Sequence, residues 1–232
     1  MTAGRMGIWT AEHVRRIVPA SAVAVIPGIM ASDRLALDAD RLYWDMWPVQ
    51  DAAGHRVLIA GRDLWMALTA PDRGDPGLRH FEAKIHWIEW LDGRWHDRGP
   101  VLPDGDAPYE REWAGSALCD DGVVSLFFTA AGSAARGGGY QQQLWAAHAQ
   151  IGADGWPEQW SSPAPLVTGY GPHYMAADAH DGEPGRIKAF RDPAYFRDPA
   201  DGSEYIAFTA SLAGSGSPFN GAFGLARKGA SG

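Results

Sequence analysis

The sequence of 232 residues is long enough for one domain of ordinary size, and its 46% hydrophobic and 21% charged residues predict a packed core and exclude extensive disorder. Its net charge of -8, without any basic run, argues against nucleic acid and anionic membrane surfaces as partners.

Short apolar runs and turn signals follow each other along the chain, and helical patterning is scarce. A helix is predicted at residues 10–17, with Thr10 as its N-cap. Strands are predicted at residues 55–61, 64–70, 84–91, 123–130, 144–151 and 204–212, and Asp-Gly pairs beside them favour hairpin turns. Many short antiparallel strands are typical of a sandwich, a barrel or a propeller. The Gly/Ser-rich residues 214–232 are expected to form a loose C-terminal segment, although residues 221–226 resemble the start of another strand.

Tryptophan is unusually frequent, with 11 residues. Indole rings stack on sugars in binding clefts, but they also fill β cores, and composition alone favours the core while leaving the cleft open. The single cysteine, Cys119, excludes an internal disulfide and a cysteine-based metal site. Neither a signal peptide nor a transmembrane helix is recognised, so we expect a cytoplasmic protein, with unconventional export left open.

The stretch Trp44-Asp45-Met46-Trp47-Pro48 places a carboxylate between two indoles. In a regular strand, Trp44 and Met46 would face one side, and Asp45 and Trp47 the other. A carboxylate beside Trp47 is poorly solvated unless hydrogen-bond donors reach it. Asp45 is therefore either a structural acid or a reactive one, and this motif alone favours the structural interpretation.

The tetrapeptide Phe-Arg-Asp-Pro occurs twice, at residues 190–193 and 196–199. Pro199 and Gly202 fit a turn and do not belong inside a central strand. Residues 194–196 are therefore predicted to form a strand, and Asp198 is predicted to lie in the turn that follows it.

Three motifs occur in a fixed order along the chain, and together they are specific. They are Trp44-Asp45-x-Trp47-Pro48, then Trp113-x-Gly115-Ser116-Ala117 before a Ser-Leu-Phe-Phe-Thr strand, and then Arg191-Asp192-Pro193. With these motifs the chain resembles glycoside hydrolase family 68, which comprises levansucrases, inulosucrases and bacterial β-fructofuranosidases. Ile8-Trp9-Thr10 and Asp201-Gly202-x-x-Tyr205 are also similar to this family.

The resemblance implies an all-β fold in which residues 1–232 form the N-terminal part of a single five-bladed β-propeller. A funnel-shaped pocket would hold sucrose by its fructosyl unit, and no cofactor is implied. Asp45 would be the nucleophile at the anomeric carbon, and Asp192 would stabilise the positive charge that develops there. Arg191 would orient the sugar, and Trp44 and Trp113 would wall the pocket. Transfer of fructose to water is hydrolysis and transfer to a sugar is synthesis, and the sequence leaves both open.

Two positions depart from the family pattern without removing the carboxylates. Ala114 stands where the family usually has Ser, whose hydroxyl can hydrogen-bond the nucleophile, so we expect the tuning of Asp45 to differ. Arg186 stands where calcium-binding members carry Asp, and its positive charge predicts that no structural calcium is bound. No metal role is predicted for the histidines either, because they show no HxH or HxxxH pairing: His55, His80, His86, His96, His148, His173 and His180.

The third departure concerns the general acid/base, which the resemblance places in a C-terminal half that lies beyond Gly232. No glutamate here has a comparable context, and loss of an acid/base typically costs about 10²–10⁴-fold in rate. We therefore expect a split enzyme, in which a second polypeptide supplies the remaining blades and the acid; the competing explanation is that the polypeptide is a fragment. The glutamates considered are Glu110, Glu112, Glu183 and Glu204.

Two other functions stay open. Ala114 and the missing glutamate favour a non-catalytic sugar-binding or regulatory propeller half, whereas intact Asp45 and Asp192 argue against it. A five-bladed glycosidase acting on arabinan or other furanosides is less favoured because of the motif spacing. The expected partners are sucrose, fructosyl acceptors and the second polypeptide, and neither nucleic acid nor a membrane.

Overall fold

The computed structural model describes residues 10–16, 27–33, 37–105, 107–178, 188–217 and 219–229. The chain divides into two compact units, Met1–Ala36 and Leu37–Gly232. In the first unit, helix α1 (Ala11–Arg15) begins after Thr10, whose side chain accepts a hydrogen bond from the His13 amide at 3.4 Å. The predicted helix and its N-cap are thus confirmed. A 3₁₀ helix, η1 (Ala31–Asp33), follows.

The described residues of the second unit form twelve β-strands and a 3₁₀ helix, η2 (Pro76–Phe81). The larger sheet has the order β4-β3-β2-β1-β5-β6-β7-β8, with β9 paired to β7, and the smaller has the order β10-β11-β12. The strands are β1 (Arg41–Gln50), β2 (Asp63–Pro71), β3 (Lys84–Leu91), β4 (Arg94–Pro100), β5 (Arg111–Asp120), β6 (Val123–Ala131), β7 (Gln142–Ile151), β8 (Pro157–Glu158), β9 (Ala164–Pro165), β10 (Phe190–Arg197), β11 (Glu204–Ser211) and β12 (Gly221–Arg227).

The strands form three antiparallel meanders, which we call blade 1 (β1–β4), blade 2 (β5–β8) and blade 3 (β10–β12). Blades 1 and 2 are joined by a short parallel pairing of β1 with β5, with Val49 opposite Ala117 and Gln50 opposite Leu118. In the part of the chain that the structure describes, blade 3 shares no strand pairing with the other two. The first strands of the three blades are therefore neighbours. β1 pairs with β5, and β10 packs on β5 through side chains.

Two of the Asp-Gly pairs make tight hairpins, as the sequence predicts. Between β3 and β4, Asp92 and Gly93 have φ values of 52° and 76°, and between β5 and β6, Asp121 and Gly122 have 47° and 76°. Positive φ at both central residues matches the right-handed twist of the flanking strands. The strands predicted at 64–70, 84–91, 123–130, 144–151 and 204–212 are confirmed as β2, β3, β6, β7 and β11.

Two sequence expectations are wrong. Residues 55–61 make only isolated bridges, Gln50 with Arg56 and Ile59 with Arg62. The chain turns back there through Ala60 and Gly61, which have positive φ values, and so no continuous strand forms. In the supposedly loose segment 214–232, residues 221–227 form β12, which pairs along its length with β11.

Side chains rather than strand pairing hold blade 3 against blade 2. The amide of Tyr195 donates to the Ser116 hydroxyl at 3.0 Å, and the amide of Phe190 donates to the Gln142 side chain at 3.2 Å. The rings of Phe127 and Tyr195 stack with their centroids 5.9 Å apart. An apolar cluster that includes Phe190 extends this contact, so burial and a few polar bonds fix the angle between the blades.

Blades 1 and 2 are tied by a buried carboxylate. Glu112 is 3% exposed and accepts hydrogen bonds from Lys84 Nζ at 3.1 Å and from the Ile85 amide at 2.8 Å. Burial raises the pKa of Glu112, and the Lys84 charge and the Ile85 amide oppose that rise. The carboxylate is fully engaged in joining β5 to β3.

The close approach of β5 and β6 requires a glycine at position 115. A Cβ atom added to Gly115 would lie 1.8 Å from the carbonyl oxygen of Phe127. We expect Gly115→Ala to lower the free energy of unfolding by at least about 2 kcal/mol, because the backbone must shift to accept the methyl group. Urea denaturation measures this. Gly105→Ala, where the added Cβ meets nothing within 4 Å, is the matched control, and equal stability of the two variants would contradict the packing argument.

Candidate active site

A pocket of about 410 Å³ opens beside the first strands of the three blades, within the range of roughly 300–1,000 Å³ that small-molecule sites occupy. All five residues to which the sequence assigned a role line it: Trp44, Asp45, Trp113, Arg191 and Asp192. The remaining lining residues are Leu68, Gly77, His80, Phe81, Ala114 and Tyr140. The three motifs thus meet in one place, although they lie far apart in the sequence.

Each first strand is bulged at the pocket. The pairing register shifts between Trp44 and Met46 in β1, between Trp113 and Gly115 in β5, and between Arg191 and Ala194 in β10. Bulges insert an unpaired residue and redirect its side chain, and they recur next to active sites. The unpaired positions include the two candidate carboxylates.

The side-chain alternation predicted for the motif in β1 is wrong, because the strand is bulged at Asp45. Asp45 has a φ of 44° and interrupts the ladder, so Trp44 and Asp45, although consecutive, both line the pocket. Met46 is 43% exposed, and Trp47 packs against the core of blades 1 and 2. Aspartate tolerates the left-handed region better than most residues, which makes it suited to this backbone.

The bulges of blades 2 and 3 share one buried hydroxyl. Thr129 Oγ1 accepts a hydrogen bond from the Asp192 amide at 2.8 Å and donates one to the Ala114 carbonyl at 3.1 Å. Thr129 itself is fully buried in β6. This contact fixes the position of Asp192 relative to β5.

The Asp192 carboxylate is only partly neutralised. Thr209 donates to its Oδ2 at 3.1 Å, and Arg191 Nε lies 3.4 Å from the same oxygen. Burial raises the pKa of Asp192 and the negative charge of Asp45 adds to the rise, while Arg191 and Thr209 oppose it. Both carboxylates line the same pocket.

The Asp45 carboxylate is solvent-exposed, and no residue in the described part of the chain donates a hydrogen bond to it. Ala114 lines the same pocket with a methyl group. The hydroxyl donor that the family pattern would place there is therefore missing, as the sequence indicates.

Aromatic rings form one wall of the pocket, and η2 holds them. The His80 ring lies edge-on to Trp44 and to Trp113, with centroids 6.0 and 6.4 Å apart, and Trp113 Nε1 donates to the His80 carbonyl at 3.0 Å. The guanidinium of Arg79 lies 5.2 Å from the ring centroid of Trp44. Phe81 packs edge-to-face on Tyr140 at 5.7 Å.

Sequence reasoning missed His80, Phe81 and Tyr140 as pocket residues. They lie in connections between strands, and no spacing or motif distinguishes them. Among the described residues, no group of three or more His, Cys, Asp or Glu side chains is arranged to hold a metal ion. The calcium prediction rests on Arg186, which lies outside the described residues.

The raised pKa of Asp192 predicts a pH-dependent difference in stability. The folded state holds this proton more tightly than the unfolded chain, so stability is present at low pH and is lost as the pH rises from about 3.8 through the raised pKa. The stability of Asp192→Asn should not fall in this way. Its free energy of unfolding should therefore rise relative to that of the wild type as the pH increases through that range. Urea denaturation from pH 3.5 to 8 measures it. Asp198→Asn, in the turn between β10 and β11, should run parallel to the wild type, and a parallel curve for Asp192→Asn would contradict the analysis.

Known proteins similar to this chain include a levansucrase and an extracellular sucrase. A levansucrase from Rahnella aquatilis is 24% identical over 226 residues, covering 89% of this chain and 52% of that protein. An extracellular sucrase from Zymomonas mobilis is 26% identical over 213 residues, covering 88% of this chain and 50% of that protein. This chain thus spans about half the length of the curated relatives it matches.

Solved structures give the same picture. An inulosucrase from Halalkalicoccus jeotgali bound to kestose is 32% identical, with a TM-score of 0.71, and the match covers 84% of this chain and 51% of that one. Bacillus subtilis levansucrase is 23% identical with a TM-score of 0.66, covers 81% and 46% respectively, and shares the fold.

The predicted cytoplasmic localisation is wrong. It depended on failing to recognise a signal peptide, whereas the Zymomonas relative is named an extracellular sucrase. Within the described ranges, no helix is long and apolar enough to cross a membrane.

The sequence model of the family described as Levansucrase/Invertase, glycoside hydrolase family 68, matches residues 2–225. This match contains all three motifs that meet at the pocket. The structural relatives are five-bladed β-propellers, so blades 1 to 3 are part of such a propeller, as the sequence predicts. The chain belongs to glycoside hydrolase family 68.

Proposed function

We propose that this chain forms the fructosyl-binding part of an enzyme that cleaves sucrose and passes the fructosyl unit to water or to a sugar. The observation that carries the proposal is the convergence of Asp45 and Asp192, from the bulged first strands of two blades, on one pocket with an aromatic wall. Relatives named levansucrase, extracellular sucrase and inulosucrase support the substrate class.

In this mechanism, Asp45 is the nucleophile. Its carboxylate attacks the anomeric carbon of the fructosyl unit and forms a covalent ester, while the bond to glucose breaks and the departing oxygen takes a proton from a general acid. Water or a sugar hydroxyl then displaces Asp45 and returns a proton to that group. Two displacements retain the anomeric configuration, with nucleophile and acid about 5–5.5 Å apart. The exposure of Asp45 and its lack of a hydrogen-bonded partner among the described residues suit a group that must reach a substrate carbon.

Asp192 stabilises the transition state. Positive charge develops on the sugar as the glycosidic bond breaks, and a carboxylate that accepts hydrogen bonds from sugar hydroxyls favours that charge. Thr209 and Arg191 hold Asp192 from one side at 3.1 and 3.4 Å. Arg191 orients the sugar, and Trp44 and Trp113 offer apolar faces to the ring.

The general acid/base comes from polypeptide outside this sequence. The residues that line the described pocket include no glutamate. Glu112 is buried against Lys84, and Glu204 accepts from the Tyr195 hydroxyl at 2.6 Å and from Lys228 at 2.8 Å. Relatives about twice as long as this chain have room for a further catalytic group.

A second polypeptide supplies that group and the remaining blades. Three large apolar side chains on and beside β12 are strongly exposed: Phe219 at 83%, Phe223 at 76% and Leu225 at 47%. Gly224, between Phe223 and Leu225, faces Phe208, so Phe223 and Leu225 lie on the opposite face of blade 3 from Phe208. A contiguous apolar surface of this kind is suited to packing of another blade.

The nucleophile is tested by Asp45→Asn in the assembled enzyme. We expect sucrose turnover to fall by more than roughly a thousandfold, as in other enzymes that lose a covalent nucleophile, while sucrose binding by calorimetry stays within a few-fold of the wild type. Asp198→Asn, from the second copy of the repeated tetrapeptide, is the control and should keep turnover. A wild-type complex that binds sucrose without cleaving it would instead support a non-catalytic sugar-binding function.

The split arrangement is tested by the neighbouring genes and by co-expression. We expect an adjacent reading frame to encode the remaining blades, and the two polypeptides to form a complex that cleaves sucrose when the lone chain does not. Phe223→Ser with Leu225→Ser should weaken complex formation in analytical ultracentrifugation. Leu58→Ser, at a side chain 57% exposed in blade 1, is the matched control. Full turnover by the lone chain would contradict the split but leave the assignments of Asp45 and Asp192 intact.

A further inference from the structure

The imidazole of His80 occupies a place in the pocket that the mechanism above does not use. Its ring lies between the indoles of Trp44 and Trp113, close to perpendicular to both, at 75° and 78°. Its backbone is anchored because the carbonyl accepts from Trp113 Nε1 at 3.0 Å. The helix η2 is capped by Asp75, whose side chain accepts from the Gly77 amide at 2.8 Å. The position of His80 is thus set by both blades 1 and 2.

The ring nitrogens of His80 make no hydrogen bond to any residue in the described ranges. The charged groups that face it are Arg79, on its own helix, and Asp45 and Arg191 across the pocket. Burial lowers the pKa of His80, Arg79 and Arg191 lower it further, and Asp45 opposes them. The lowered pKa favours the neutral imidazole, in which one ring nitrogen carries an N–H that can donate.

The side chain of Ala114 provides no hydrogen-bond donor for Asp45. The Asp45 carboxylate receives no hydrogen bond in the described part of the chain, and the side chain that β5 contributes to this pocket beyond Trp113 is a methyl group. An exposed carboxylate with no donor is free to rotate, which reduces the fraction of time it spends aligned with a substrate carbon. A donor elsewhere in the lining of the same pocket would correct this.

We propose that His80 is a positioning residue for Asp45, and that its imidazole N–H takes the role of the hydroxyl missing at Ala114. The proposal rests on the proposed function, in which Asp45 is the nucleophile. When sugar fills the pocket, the N–H of His80 donates to the Asp45 carboxylate and holds it towards the anomeric carbon. Active-site hydrogen bonds of this kind commonly tighten only once substrate is bound.

The kinetic test is a double-mutant cycle between positions 80 and 114 in the assembled enzyme. His80→Phe keeps the ring packing between the indoles but loses the donor, and we expect kcat for sucrose to fall about tenfold, as for one hydrogen bond to a charged group, with little change in KM. His80→Gln keeps an N–H and should retain most of kcat. In the background of Ala114→Ser, which restores the hydroxyl, His80→Phe should cost less than about threefold in kcat. Independent effects of the two substitutions would overturn the proposal.

A second measurement needs no turnover. The His80 resonance, assigned by its loss in His80→Gln, is titrated by NMR in the assembled enzyme. Asp45→Asn should lower the pKa of His80, because it removes the negative charge that favours the imidazolium, and Asp198→Asn should leave it unchanged. An unchanged pKa in Asp45→Asn would overturn the positioning role even if Asp45 proves to be the nucleophile. Conversely, a shifted pKa with full turnover by Asp45→Asn would remove the nucleophile assignment and leave the contact.

Discussion

The geometry of the pocket depends on the hydroxyl of Thr129. Strand bulges leave backbone groups without ladder partners, and such groups are costly to bury unpaired. Thr129 satisfies one group in each of two bulges, the Asp192 amide and the Ala114 carbonyl, and it does so from full burial. Among the described residues blade 3 has no strand pairing with blade 2, so this hydroxyl, together with the bond from the Tyr195 amide to Ser116, relates Asp192 to the strand that carries Trp113.

The bulges themselves explain how strands can build a pocket of this kind. A regular strand sends consecutive side chains to opposite faces, so it can present only every second residue to a ligand. In β1, the left-handed conformation of Asp45 breaks that rule and brings Trp44 and Asp45 to the same space. In β10, Asp192 does the same beside Arg191. An acid and its aromatic or cationic neighbour can then act on one substrate.

The fold and the pocket differ in how far the sequence predicts them. Alternating apolar strands and Asp-Gly hairpins are local, so five of the strand predictions and the turn at Asp198 agree with the structure. The motif residues were found because three separate motifs occur in order. Contacts made through connections were not found: His80 reaches the pocket only because η2 packs on Trp113 across blades. The false strand at 55–61 shows the same limit, since its apolar residues line a turn.

The pocket carboxylates differ from the structural ones in how far neighbouring cations neutralise their charge. Glu89 is 2% exposed and is neutralised by Arg62 at 3.0 Å and Arg98 at 2.7 Å, so its charge is already compensated within the fold. Asp45 has no such partner in the described chain, and Asp192 forms an ion pair with one arginine, Arg191, at 3.4 Å.

The charge of Asp45 adds to the rise that burial causes in the pKa of Asp192, so ionised Asp192 is unfavourable in the empty pocket. In the proposed mechanism, a sugar that acquires positive charge as its glycosidic bond breaks would offset the negative charge of the pair. Asp45 and Asp192 would then be unfavourable for the resting fold and favourable for the transition state, which is the difference in binding that catalysis requires.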